Sequence, residues 1–131
     1  MRKIKFRAWD GENMRMLHTR WKMTIWEDGS FSCRHAVTEE LINEETSVLM
    51  EYVGRKDQHG LDMYEKDIVS YTSFNGIADK AYRSLGVLEY EGEMLTWVLA
   101  NMDGKKYHVD PYGIFEVIGN VFENPELMKG E

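Results

Sequence analysis

From Lys3 to Ala8 polar and apolar residues alternate strictly, with Ile4, Phe6 and Ala8 on one face and Lys3, Lys5 and Arg7 on the other. A period of two is that of a strand buried on one side. After Trp9, the run Asp10-Gly11-Glu12-Asn13 predicts a tight turn, because Asp-Gly supplies the positive φ that a hairpin loop demands. A return strand is expected over 14–17. Trp21, Met23 and Ile25 then alternate with Lys22, Thr24 and Trp26, a second Asp-Gly turn sits in Glu27-Asp28-Gly29-Ser30, and Phe31, Cys33 and His35 share one face of the partner strand. Trp21 and Trp26 have opposite parity, so one of them is exposed unless a bulge intervenes. From Thr38 the character changes: an N-cap candidate followed by Glu39, Glu40, Glu44 and Glu45 predicts a short helix, with the acids as a solvated face.

The most organised stretch is central. Val48, Met50 and Tyr52 lie on one face, Gly54 and Gly60 bracket a charged connection, and Asp67 to Tyr71 forms the next strand. Between Thr72 and Gly86 the pattern weakens, which predicts a surface loop or one helical turn and a candidate partner-binding segment that includes Phe74 and Tyr82. A hairpin follows over 87–99 with Gly92 in its loop, then an Asp103-Gly104 turn and a strand ended by Pro111. The last strand, Ile114 to Phe122, carries Gly119 inside an apolar run, where a bulge or a close backbone approach is expected. Asn124 as cap and Pro125 at the first helical position predict a final turn, able to plug one open end of a barrel, that Gly130 stops. Many short strands, repeated glycine turns and little helix predict an all-β protein: a small barrel-like antiparallel sheet with one or two short helical segments, organised as a single domain over 1–131.

Charge narrows the range of partners. With 23 acidic against 16 basic side chains the net charge is −7, which repels a phosphate backbone and disfavours nucleic-acid binding by bulk charge. The single Cys33 excludes an internal disulfide, and Met1-Arg2-Lys3-Ile4 lacks the apolar run of a signal peptide. No apolar stretch has the length of a membrane span. A bacterial cytoplasm is the expected compartment, with no membrane partner.

Three stretches together resemble the YopX family of phage and prophage proteins. They are Ile4-Lys5-Phe6-Arg7-Ala8-Trp9-Asp10, the central stretch from Leu49 to Val69, and Glu116 to Leu127. In the central stretch Tyr52, Gly54, Asp57, Gly60, Tyr64, Glu65, Asp67, Ile68 and Val69 fall on the family's positions. Val53, His59, Met63 and Lys66 depart from it; Lys66 stands where the family has glycine, so the turn before Asp67 is ordinary or strained here. The resemblance implies a compact β fold with a barrel-like core and a phage or prophage origin. It supplies no activity.

The candidate chemistry has a bland counterpart at each place. Cys33 and His35 share a strand face, as ligands or a nucleophile pair would, yet a buried thiol beside a half-exposed imidazole explains them without a metal or a cofactor. Asp57, Asp62, Glu65 and Asp67 would serve acid–base catalysis if the fold gathered them in one cleft. The preferred reading has Asp57 and Asp67 accepting backbone hydrogen bonds in turns and Asp62 and Glu65 solvated. On that reading Tyr52, Gly54, Asp57, Gly60, Tyr64, Asp67, Gly119, Asn124 and Pro125 are architectural. Lys3, Lys5 and Arg7, extended by Arg15 or Arg20, would form a basic stripe for single-stranded nucleic acid if aromatics stacked on it, but the excess of acids favours a merely solvated strand edge. The leading expectation is a non-enzymatic accessory protein that binds a host or phage protein, or assembles with itself, through Trp21, Trp26, Phe74 and Tyr82. A nucleic-acid-binding barrel is the alternative, and a small carboxylate enzyme around Asp57 and Asp67 comes third.

Overall fold

The computed structural model describes residues 3–17, 19–75, 80–92, 96–101, 105–109 and 113–128; the side chains of 73–75, 80–84 and 108 lie outside the description. His18, Asp103, Gly104, Pro111 and Gly130, and the turn at Gly76, therefore lie outside the described residues. The chain is mainly β, and its only helical segments among the described residues are the 3-10 turns Glu44–Thr46 and Pro125–Met128. No described helix is long and apolar enough to cross a membrane. Two compact units divide the chain: Lys5–Glu51, and Tyr52–Glu131 together with Met1–Ile4.

In the first unit β1 (Phe6–Asp10) pairs antiparallel with β2 (Arg15–Met16) and with residues 48–51 of β5 (Val48–Lys56), while β3 (Trp21–Ile25) and β4 (Phe31–His35) form a hairpin. Its core is Ala8, Leu17, Trp21, Phe31, Cys33 and Ile42, with Met23 and Leu49 packed against it. The hairpin follows the alternation. Trp21, Phe31 and Cys33 turn inward, and Lys22, Thr24 and Arg34 turn out. Gly29 takes φ 88, and the Trp26 amide donates to the Ser30 carbonyl to close the loop. The first turn works differently. Positive φ falls on Met14 (φ 54), while Gly11 is required because a Cβ there would collide with the Thr46 carbonyl. Asp10 organises this turn. It is fully buried, and its carboxylate accepts from the amides of Glu12 and Asn13, from Asn13 Nδ2 at 2.9 Å and from Arg15 Nε at 3.0 Å. Burial opposes its charge, but the bonds from Asn13, Arg15 and Glu12 outweigh burial and hold the carboxyl below its ordinary range.

Three expectations for the start of the chain fail. Ile4 is 72% exposed and precedes the strand, which begins at Phe6 and is buried at consecutive positions from Ala8 to Asp10 rather than in alternation. Lys5 and Arg7 are half-buried, so no exposed basic stripe runs along β1. The helix predicted from Thr38 is absent: Glu39 adopts φ 60, and the Thr38 hydroxyl accepts from the Glu40 amide in a local turn. A single 3-10 turn forms later, capped by the Asn43 side chain on the Glu45 amide.

The second unit holds residues 52–56 of β5, β6 (Asp62–Tyr64), β7 (Asp67–Asn75), β8 (Lys80–Glu91), β9 (Thr96–Ala100), β10 (Lys106–His108) and β11 (Ile114–Asn120). The last five form one curled antiparallel sheet in the order β10-β9-β8-β7-β11, a half-barrel. Its core is Met63, Val69, Leu88, Leu99 and Phe115, and Gly86 makes room there, since a Cβ would meet Leu99 and Tyr71. Residues 72–75 and 80–86 correct the sequence expectation: β7 and β8 pair in register from Ile68↔Val87 to Asn75↔Lys80, so these described residues are paired strand rather than a loop or a helical turn. Ladder hydrogen bonds along paired strands hold them, and such bonds leave no trace in a hydropathy pattern.

Candidate functional site

The Asp57 and Asp67 carboxylates of the central motif are engaged by backbone amides. Asp57 Oδ1 accepts from the amides of His59 and Leu61, both at 2.9 Å, and Oδ2 accepts from the Val117 amide at 2.9 Å. The Gln58 amide donates to the Phe115 carbonyl, so the connection is clamped along β11. Desolvation works against the charge, yet the three backbone donors win and lower the Asp57 carboxyl below its ordinary value. Gly54 and Gly60 take φ 97 and 83, the first within a β5–β6 irregularity between Tyr52↔Tyr64 and Lys56↔Asp62. The rings of Tyr52 and Tyr64 pack at 5.7 Å. Asp67 is buried and accepts from the Tyr64 amide at 2.8 Å. Asp62 pairs with Lys56 Nζ at 3.0 Å and is half-buried rather than solvated. Lys66, in place of the family's glycine, takes φ 72, with its amide on the Leu88 carbonyl and its carbonyl on the Val121 amide. Gly119 has both predicted features: the register of β11 against β7 shifts between Val117 and Gly119, and a Cβ would strike the Asn124 side chain. Asn124 Oδ1 turns back to the Asn120 amide, and the Asn124 carbonyl, not its side chain, accepts from Leu127 to start the final turn at Pro125.

The thiol candidate is also absorbed by structure. Burial, then the charges of Glu44 and Asp10, push the Cys33 thiol up to about 11, which keeps it protonated and a poor nucleophile. His35 stacks edge-on against Trp21 at 5.1 Å, and its Nδ1 accepts from the amides of Val37 and Thr38. Among the described residues no group of three or more His, Cys, Asp or Glu could hold a metal ion.

What remains is the outer face of the β3–β4 hairpin. The register sets Lys22 directly opposite Arg34 and Thr24 opposite Ser32, and the Arg34 backbone bridges to Leu41. Trp26, just past the end of β3, is 51% exposed, and Leu41 is 57% exposed. These six residues line a shallow groove of about 380 Å³. Like charges directly opposite each other destabilise a strand pair, and no carboxylate among the described residues offsets them here. Arg15, Lys56, Lys66 and Lys106 each pair with a carboxylate, whereas neither Lys22 nor Arg34 is in an ion pair among the described residues. The lining contains no carboxylate, in a chain with net charge −7. A smaller cleft of about 260 Å³ is lined by Gly29, Ser30, Phe31, Glu44 and Glu45.

Of the four residues expected to bind a partner, Trp26 lies in this groove. Trp21 is 9% exposed and lies in the core, with the Arg15 guanidinium 4.9 Å above its ring. Phe74 and Tyr82 have their backbones in β7 and β8, and their side chains lie outside the described residues. Nothing in the hydropathy pattern marks Lys22, Arg34 and Leu41 as a site. The signal was available for the first two: a turn centred on Asp28 pairs residues whose numbers sum to the same value, which sets 22 opposite 34.

Residues 5–129 match the family described as YopX protein. This chain belongs to the YopX family. The crystal structure of yopX from Bacillus subtilis is similar, at 23% identity and TM-score 0.67, covering 98% of this chain and all of that one. That of EF1440 from Enterococcus faecalis is similar at 22% identity and TM-score 0.59, with the same coverage. At such identities these likenesses show a shared fold. No curated protein matches the chain.

Proposed function

We propose that this YopX-family chain is a non-enzymatic accessory protein, encoded by a phage or prophage, that acts in the cytoplasm of a bacterial host by binding another protein, host or viral. One observation carries the reading: the outer face of the β3–β4 hairpin leaves Trp26 and Leu41 uncovered beside Arg34. Tryptophan and arginine are the side chains that most often dominate protein interfaces, because each combines a large apolar area with directional bonding. Two of the candidate carboxylates and the thiol serve the fold instead: Asp57 holds three amides, Asp67 holds the Tyr64 amide and Cys33 stays protonated. The phage origin rests on the family.

Affinity capture from infected host cells, with and without nuclease, tests this. The expected result is stoichiometric recovery of a protein that survives nuclease and is lost with Trp26→Ala. Recovery of nucleic acid alone would overturn the proposal. Mass measurement of the purified chain, wild type against Trp26→Ala, identifies the case in which the bound protein is a second copy.

A further inference from the structure

We infer that the hairpin groove receives an acidic, extended protein segment, with carboxylates on the Lys22–Arg34 rung and an apolar side chain against Trp26 and Leu41. This inference rests on the protein-binding reading above and names the chemistry of the partner. Two features of the same pair of cations point to a negative ligand. The first is the lining: two cations, two hydroxyls from Thr24 and Ser32, and no carboxylate. The second is the rung itself. The register holds Lys22 and Arg34 face to face on an exposed surface, an arrangement that costs the hairpin stability unless an anion comes between them. Arg34 offers a planar fork that grips a carboxylate in two bonds, and Lys22 offers a compact charge with rotatable donors.

A protein segment fits better than a nucleic acid. Two cations match two carboxylates, and the segment's remaining side chains can be neutral. A single strand of comparable length carries a charge on every nucleotide, and all of them meet the field of a chain with net charge −7. Trp26 is a single platform, whereas strand-binding grooves present several for successive bases.

The test uses three fluorescein-labelled probes read by anisotropy at two salt concentrations: a ten-residue peptide of Ser and Thr that carries two Glu and one Leu, the same peptide with Lys for both Glu, and a ten-nucleotide oligothymidine. The acidic peptide is expected to bind the wild-type chain. Lys22→Glu and Arg34→Glu should each weaken it about tenfold or more, and the double reversal should bind the Lys peptide instead. Lys22→Glu also turns a repulsive rung into an attractive one, so its melting temperature should rise by about 2 °C while binding falls. That rise separates lost recognition from lost folding. Unchanged affinity in the reversed variants, preference for the oligonucleotide, or no binding of the acidic peptide overturns the inference. Capture that Trp26→Ala abolishes and Lys22→Glu leaves intact would overturn the acidic chemistry alone and leave the protein-binding role standing.

Discussion

At the scale of single residues, two positions show how local geometry is enforced by distant partners. Lys66 takes φ 72, a conformation in which a Cβ crowds the following carbonyl at a cost of roughly 1–2 kcal/mol. Its amide and carbonyl are both fixed by neighbours, at Leu88 and Val121, so the backbone cannot relax. Lys66→Gly should therefore raise stability by about 1 kcal/mol, less a few tenths for the lost half-exposed pair with Glu89 at 3.4 Å, as read by urea denaturation. No gain would mean that Lys66 is unstrained. Asp57 is the second case. Its carboxyl is lowered in the folded chain despite burial, so ionisation favours folding. The contribution is complete above the unfolded value near 3.8 and is lost as the pH falls below it through the folded value. In Asp57→Asn an amide donor would face the Val117 amide or the pair at His59 and Leu61. We expect a loss of about 1–3 kcal/mol at neutral pH and a flatter stability profile below pH 4. A variant whose acid unfolding superimposes on the wild type would contradict this.

At the scale of elements, hydropathy alternation is a sound guide only where one face of a strand is buried. It holds along β3 and β4, where the turn at Gly29 and the inward set Trp21, Phe31 and Cys33 agree on a register. It fails in β1, covered on both faces near Ala8 and Trp9, and it says nothing of the β7–β8 pairing beyond Thr72. The end of the chain is legible for another reason. A glycine inside an apolar run flags a backbone that cannot carry a side chain, and at Gly119 the Asn124 side chain occupies that space. Gly119→Ala should cost about 1–3 kcal/mol by overpacking. The bond from the Asn120 amide to Asn124 Oδ1, 3.2 Å long, should then lose its hydrogen-exchange protection first. Exchange unchanged at Asn120 would refute the close approach as the cause.

At the scale of the molecule, net charge decides what the surface as a whole attracts. The cations on the β3–β4 face are a local exception within a chain of net charge −7. Random duplex DNA should not be retained at physiological salt, and an electrophoretic shift at micromolar protein, falling steeply with added salt, would contradict that expectation. A segment bearing two or three carboxylates avoids most of this repulsion, because screening confines its interaction to the rung it touches.

The all-β class, the family and the special backbone positions Gly60 and Gly119 were legible in the sequence, because turn chemistry and strand period are local properties of adjacent residues. The carboxylate cluster, the cysteine and three of the four expected binding residues could not be judged that way, since their meaning depends on burial and on partners far along the chain. Asp57 became a clamp only when β11 brought the Val117 amide to it. Trp21 and Trp26 were told apart only by which side of the hairpin met a core. The candidate site itself is a product of tertiary structure: Lys22 and Arg34 are twelve positions apart, and pairing across a turn, which no hydropathy pattern records, made them one rung.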